Sequence, residues 1–154
     1  MFELPEGLSA EEIAAWTVLI VDNEEDNLSV PSRLLRFYGA KVHTAKDGQE
    51  GIDIFKGIKP SFILLDISMP VKDGWQMLDE VRADDEKAST PVIALTAHAM
   101  VGDKEKGLAK GFDAYITKPF TFRNFLGEIH EALEDIKARR QSRTQGTIGP
   151  PAVH

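Results

Sequence analysis

Phe62-Ile63-Leu64-Leu65-Asp66 is an apolar run without polar alternation that stops at a carboxylate. A strand half-exposed to water alternates apolar and polar side chains, so an unbroken run of this length reads as a parallel strand covered by helices on both faces. Val18 to Val21, Val92 to Leu95 and Ala114 to Ile116 read the same way. Lys41 to Ala45 (KVHTA) alternates, which suits a strand at the edge of the sheet.

The segments between these runs have helical spacing. Pro31, Leu34, Leu35 and Tyr38 share a face, with Gly39 as the stop; Pro31 is expected in the first turn, where its missing N–H costs nothing. Ile52 and Phe55 mark a second helix, and Trp75, Leu78 and Val81 a third. A fourth, over 101–110, has a weak stripe interrupted by Gly107. The last is the clearest: Phe122, Phe125, Leu126, Ile129, Leu133 and Ile136 recur at helical spacing behind Thr121 as N-cap. Strand-then-helix repeats with right-handed crossovers predict an α/β, doubly wound parallel sheet, whose crevice lies beyond the carboxyl ends of the strands.

This main domain is expected over 17–138. It is preceded by an extension, 1–16, in which Ser9-Ala-Glu-Glu12 resembles a capping box opening a short helix. The segment 139–154 is polar, carries Gly149, Pro150 and Pro151, and is expected to be a disordered tail or linker stub.

Composition narrows the function. A formal charge of -7 and a pI near 5.1 disfavour nucleic acid, whose binding depends on Lys and Arg displacing counterions from phosphates. The basic group Lys137, Arg139, Arg140 and Arg143 is read as complementing a helix C-terminus. No apolar stretch approaches the roughly 20 residues of a membrane span, the N-terminus lacks an export signal, and no cysteine occurs, so a cytoplasmic location is expected. His43, His98, His130 and His154 show no ligand spacing.

The strand ends carry the chemistry: Asp22, Asn23 and Glu24 after the first, Asp66 after the third, Thr96 ending the fourth, Lys118 after the fifth. Hard oxygen donors without cysteine or ligand-spaced histidine suit Mg2+. A cation beside a carboxylate, a hydroxyl and a lysine is the equipment of phosphoryl transfer, with the central Asp66 as nucleophile.

With VLIVDNEEDN, FILLDISMPVKDGW, PVIALTA and AYITKPF in this order, the chain resembles the CheY-like receiver domain of bacterial two-component response regulators over roughly Thr17 to Ala138. The resemblance implies a flavodoxin-like five-stranded sheet of order 2-1-3-4-5. It implies that Asp66 takes a phosphoryl group from a phosphohistidine on a sensor histidine kinase or a histidine phosphotransfer protein. Lys118 would pair with the phosphoryl group, Thr96 would donate a hydrogen bond to it, and Tyr115 would be the rotating aromatic of the switch. Mg2+ would be held by Asp22, the residue at 23, Asp66 and the backbone carbonyl of Ser68. Ser68 and His98 would set phosphate lifetime, and Lys118-Pro119 resembles the family's cis peptide. The chain departs from the family at Asn23, where a second carboxylate is usual; an amide still ligates Mg2+, more weakly unless Glu24 reaches in.

The resemblance further implies a downstream protein target and permits a homodimer, both through the face formed by the fourth helix, fifth strand and last helix. The domain is expected to promote its own phosphotransfer and autodephosphorylation without being an enzyme for external substrates. A phosphohydrolase on the same nucleophile would need a second general acid and a substrate pocket. The competing expectation is a pseudo-receiver, a constitutive interaction module in which Asn23 marks a decayed metal site.

Overall fold

The computed structural model describes residues 4–67, 74–96, 111–117 and 121–148, and of residues 96, 122–123 and 142–148 the backbone alone. The described strands are β1 (Thr17–Val21), β2 (Lys41–Ala45), β3 (Phe62–Asp66), β4 (Val92–Thr96) and β5 (Ala114–Thr117). They form one parallel sheet of order β2-β1-β3-β4-β5, with the alternating strand β2 at an edge as its sequence predicts.

The unbroken apolar runs serve two cores at once. Val18, Ile20, Phe62, Leu64, Ile93, Leu95, Ala114 and Ile116 face one side. Leu19, Val21, Ile63, Leu65, Val92 and Ala94 face the other. Strand side chains alternate between faces, so a sheet covered on both sides demands apolar residues at every position.

The first core is covered by α1 (Ala10–Ala14), α2 (Glu25–Phe37) and α5 (Phe122–Ile148). The second is covered by α3 (Gly48–Gly57) and α4 (Gly74–Arg82). The expected helix over 101–110 lies outside the described residues.

Helix ends follow local chemistry. Gly39, at φ +96, closes α2: its N–H donates to Arg36 O at 3.0 Å and that of Ala40 to Leu35 O at 3.0 Å, the paired bonds of a Schellman motif. Thr121 and Asn124 cap α5 reciprocally, each backbone N–H donating to the other's side-chain oxygen, at 2.8 and 3.3 Å.

Pro31 corrects the sequence reading. It lies inside α2 rather than in its first turn, because the helix already starts at Glu25. It cannot donate to the carbonyl of Asn27. The neighbouring Ser32 hydroxyl adds a bond to Leu28 O at 2.6 Å, and Leu28, Pro31, Leu34 and Leu35 are all buried, so core contacts hold the helix across the interruption.

The N-terminal extension is part of the core. Ser9 accepts from Glu12 N at 3.1 Å and opens α1 as its sequence predicts. Leu8 and the fully buried Ile13 join the core that holds Ile129 and Ile136 of α5, and Trp16 meets Phe62 edge-on at 5.1 Å.

At the other chain end, α5 continues to Ile148, past the expected boundary at 138 and into the expected disordered tail. Tertiary bonds explain part of the difference. Asp113 receives Arg82 at 2.7 Å, Val92 N at 2.9 Å and Arg140 at 3.6 Å, while Arg139 donates to its carbonyl. Arg140 also donates to Ser89 O at 2.7 Å. These arginines, read from sequence as complementing a helix dipole, clamp α5 to the amino ends of β4 and β5.

Between β5 and α5 lies an open groove of about 500 Å³ lined by Ala114, Ile116, Glu128, Glu131, Ala132 and Asp135 among others. Glu128 Oε2 is buried there without a hydrogen-bond partner among the described residues. Burial, then the neighbouring Glu131 carboxylate, pushes the Glu128 carboxyl above the usual range.

Two outcomes follow from this packing. Ile13→Ala lowers unfolding stability by about 2–5 kcal/mol, the cost of emptying a closed core site, read from urea unfolding; an unchanged midpoint would show the extension to be an ornament. A raised folded-state pKa means that Glu128 favours the folded state only while protonated, and that contribution is lost as pH rises through the raised value. Glu128→Gln therefore raises Tm at pH 7, and the difference fades as pH falls below about 4.

Candidate functional site

Strand register places the two acidic positions side by side. The pairing of β1 with β3 ends at Val21 opposite Leu65, so Asp22 and Asp66 occupy the next positions on adjacent strands. Neighbouring strands run about 4.8 Å apart. Asp22 is 0% and Asp66 5% exposed, and carboxylates are this deeply buried only where their charge has compensation.

Asp22 is held by its own chain. Its N–H donates to Ala45 O on β2 at 3.0 Å, and its Oδ1 accepts from Glu24 N at 3.0 Å and Asn27 Nδ2 at 3.5 Å. Sequence reading missed Asn27; the available signal was an amide in the first turn of the helix that follows Asp22, where short polar side chains bond back to the preceding loop. Asn23 and Glu24 are exposed, and Glu24 makes no side-chain cap to α2 although it holds the N-cap position.

On the other flank, β4 ends at Thr96, whose backbone pairs with Thr117, the last residue of β5. The Ile67 N–H donates to Leu95 O at 3.3 Å, tying the residue after Asp66 to the strand that delivers Thr96. Tyr115 is partly buried against the second core, as are Ile67 and Trp75. Lys118, Pro119, Ser68 and His98 lie outside the described residues, as does the Thr96 side chain.

Among the described residues, no group of three His, Cys, Asp or Glu side chains stands close enough to hold a metal. The register brings together two carboxylates, with the Asn23 amide next in the chain. This all-oxygen set suits a hard divalent cation that keeps several waters, and lacks the nitrogen or sulfur ligands that zinc favours. The residues present are therefore of a type that fits Mg2+.

The family model for the response regulator receiver domain matches residues 18–130. The transcriptional regulatory protein PrrA of Mycobacterium tuberculosis is 36% identical over 137 residues, 88% of this chain and 58% of PrrA. The chain thus spans little more than half the length of that relative. The polar-differentiation response regulator DivK of Brucella anthropi is 34% identical over 77% of this chain and 97% of its own. Among solved structures, the receiver domain of the sensor histidine kinase PA1611 from Pseudomonas aeruginosa PAO1 superposes with a TM-score of 0.67 at 31% identity, covering 79% of this chain and 98% of that one; it holds a magnesium ion in its active-site cleft. Sheet order, paired buried carboxylates and these matches agree: the chain belongs to the response regulator receiver domain family of two-component, phosphorylation-based signalling.

Proposed function

We propose that this domain accepts a phosphoryl group on Asp66 from the phosphohistidine of a sensor histidine kinase or a histidine phosphotransfer protein, and that the modified domain changes its affinity for a downstream protein. The observation that carries this reading is the burial of Asp66 beside Asp22 at the carboxyl end of the central strand.

In the transfer, an Asp66 carboxylate oxygen attacks phosphorus, the phosphorus–nitrogen bond to the donor imidazole breaks, and the imidazole leaves with the bonding pair. Mg2+, when bound, supplies positive charge to the phosphoryl oxygens. Asp22, fixed by Glu24 N and Asn27, holds a second anionic ligand in register with the acceptor. Asn23 and the Ser68 carbonyl are assigned as the remaining protein ligands, with Glu24 in reserve. Lys118 takes the role of countercharge to the phosphoryl group, and Thr96 that of hydroxyl donor. Ser68 and His98 are assigned the setting of phosphate lifetime. The domain thus promotes its own phosphorylation and dephosphorylation without turning over an external substrate.

Recruitment of Thr96 toward the new dianion draws on β4, and Tyr115 on the adjoining strand follows. The altered surface is assigned to the face of the 101–110 segment, β5 and α5, where the groove presents Glu128, Glu131 and Asp135 to a protein partner. PA1611 carries a receiver domain within a sensor histidine kinase, which supports a kinase as donor; its bound magnesium supports the cation. No helix of the described residues is long and apolar enough to cross a membrane, which is consistent with the cytoplasmic location assigned here.

Incubation with acetyl phosphate and Mg2+ should add one phosphoryl group by intact-mass measurement, and Asp66→Asn should abolish it. Equal modification of the variant would remove Asp66 from the role. Asn23→Asp should tighten Mg2+ binding by roughly ten-fold in calorimetric titration, since an added unit charge near a divalent ion contributes on the order of 1–2 kcal/mol even in high dielectric. An unchanged affinity would place Asn23 outside the metal's reach.

A further inference from the structure

The start of α4 lies directly on the backbone of the acceptor residue. A Cβ added at Gly74 would stand 2.5 Å from Asp66 O, 2.7 Å from Ile67 Cα and 3.2 Å from Asp66 C. All three are backbone atoms of the residue that carries the carboxylate or of its neighbour, so no side-chain rotation relieves the overlap. The Gly74 N–H donates to Ile67 O at 3.0 Å, while the Ile67 N–H is held by Leu95 O at 3.3 Å. The peptide groups flanking Ile67 are therefore fastened to β4 on one side and α4 on the other.

We propose that Gly74 is a positioning residue for Asp66: the missing side chain lets α4 close onto the strand end and fixes the direction in which the acceptor carboxylate emerges. This inference rests on the assignment of Asp66 as phosphoacceptor.

If a methyl group is placed at 74, either the helix or the strand end must yield. Met77, Leu78 and Val81 seat α4 in the second core, each 0% exposed, so moving the helix disturbs three closed contacts. Strand β3 is paired on both sides through Leu65, but its pairing with β1 ends there, and among the described residues the ladder continues beyond Asp66 through the Ile67 bond alone. The strand end is the softer element. The displacement falls on the Asp66–Ile67 backbone and turns the carboxylate away from its register with Asp22.

The test compares wild type, Gly74→Ala and Gly57→Ala, the last a helical glycine with nothing within 4 Å of an added Cβ. Each full chain is assayed for Mg2+ affinity by calorimetry, for phosphorylation by acetyl phosphate, and for Tm. Gly74→Ala should weaken Mg2+ binding and slow phosphorylation by at least ten-fold, with Gly57→Ala equal to wild type in both. Adding Met77→Ala to Gly74→Ala loosens the helix seat, and should recover much of the Mg2+ affinity while lowering Tm further, a pairing of signs that a merely structural role does not produce. Wild-type phosphorylation with an unaltered Gly74→Ala site overturns this proposal alone; absence of Asp66-dependent phosphorylation in wild type overturns the functional reading beneath it. Should Gly74→Ala not fold, hydrogen exchange on the wild type decides: Mg2+ should slow exchange of the Gly74 amide several-fold, and an unchanged rate overturns the link.

Discussion

Two carboxylates buried on neighbouring strands are the constraint around which this domain is organised. Like charges at that separation in a poorly solvated crevice repel, and each loses hydration that the fold must replace. Asp22 accepts from the Glu24 backbone N–H and the Asn27 amide, which fix its orientation. Two acidic side chains at the carboxyl ends of adjacent strands are the chemistry that the proposed cation and phosphoryl group would meet.

The same sheet that concentrates charge at one end is braced at the other. Asp113 gathers Arg82, Arg140 and the start of β4 near the amino ends of β4 and β5, and Lys87 donates to Phe55 O at 2.5 Å and Ile58 O at 2.8 Å, closing the C-terminus of α3 from the loop after α4. The Lys87 ammonium also lies 4.4 Å from the Phe55 ring centroid, so it is held by carbonyls and a π-face together. The N-terminal extension adds Ile13 and Trp16 to the first core. Regulation requires part of a domain to move against a part that does not, and an amino-end clamp beneath a carboxyl-end crevice is the arrangement that the proposed switch would need.

Much of the fold was legible because a sheet buried on both faces has an unusual signature. Phe62 to Leu65 cannot alternate, since each successive side chain enters a different core, and β2 alternates because it stands at the edge. Gly39 and Thr121 announced their helix ends through local bonds that involve only residues a few positions away. Pro31 and the continuation to Ile148 were misread, because whether a proline is tolerated or a polar helix persists depends on contacts with distant segments: the buried face around Leu34 and Leu35 in one case, Asp113 and Ser89 in the other.

At the site, residue identities are local: Asp22 followed by Asn23 and Glu24, and the lone Asp66, each stand at the carboxyl end of an apolar run. Their one-dimensional separation says nothing about register, and only strand pairing makes Asp22 and Asp66 neighbours. Asn27 could not be singled out from the sequence, since its part is defined by distance to Asp22 and not by its own chemistry. Residue type and period are local properties, which the sequence carries in full; proximity between segments is settled by how helices close over the sheet, and that is decided only in three dimensions.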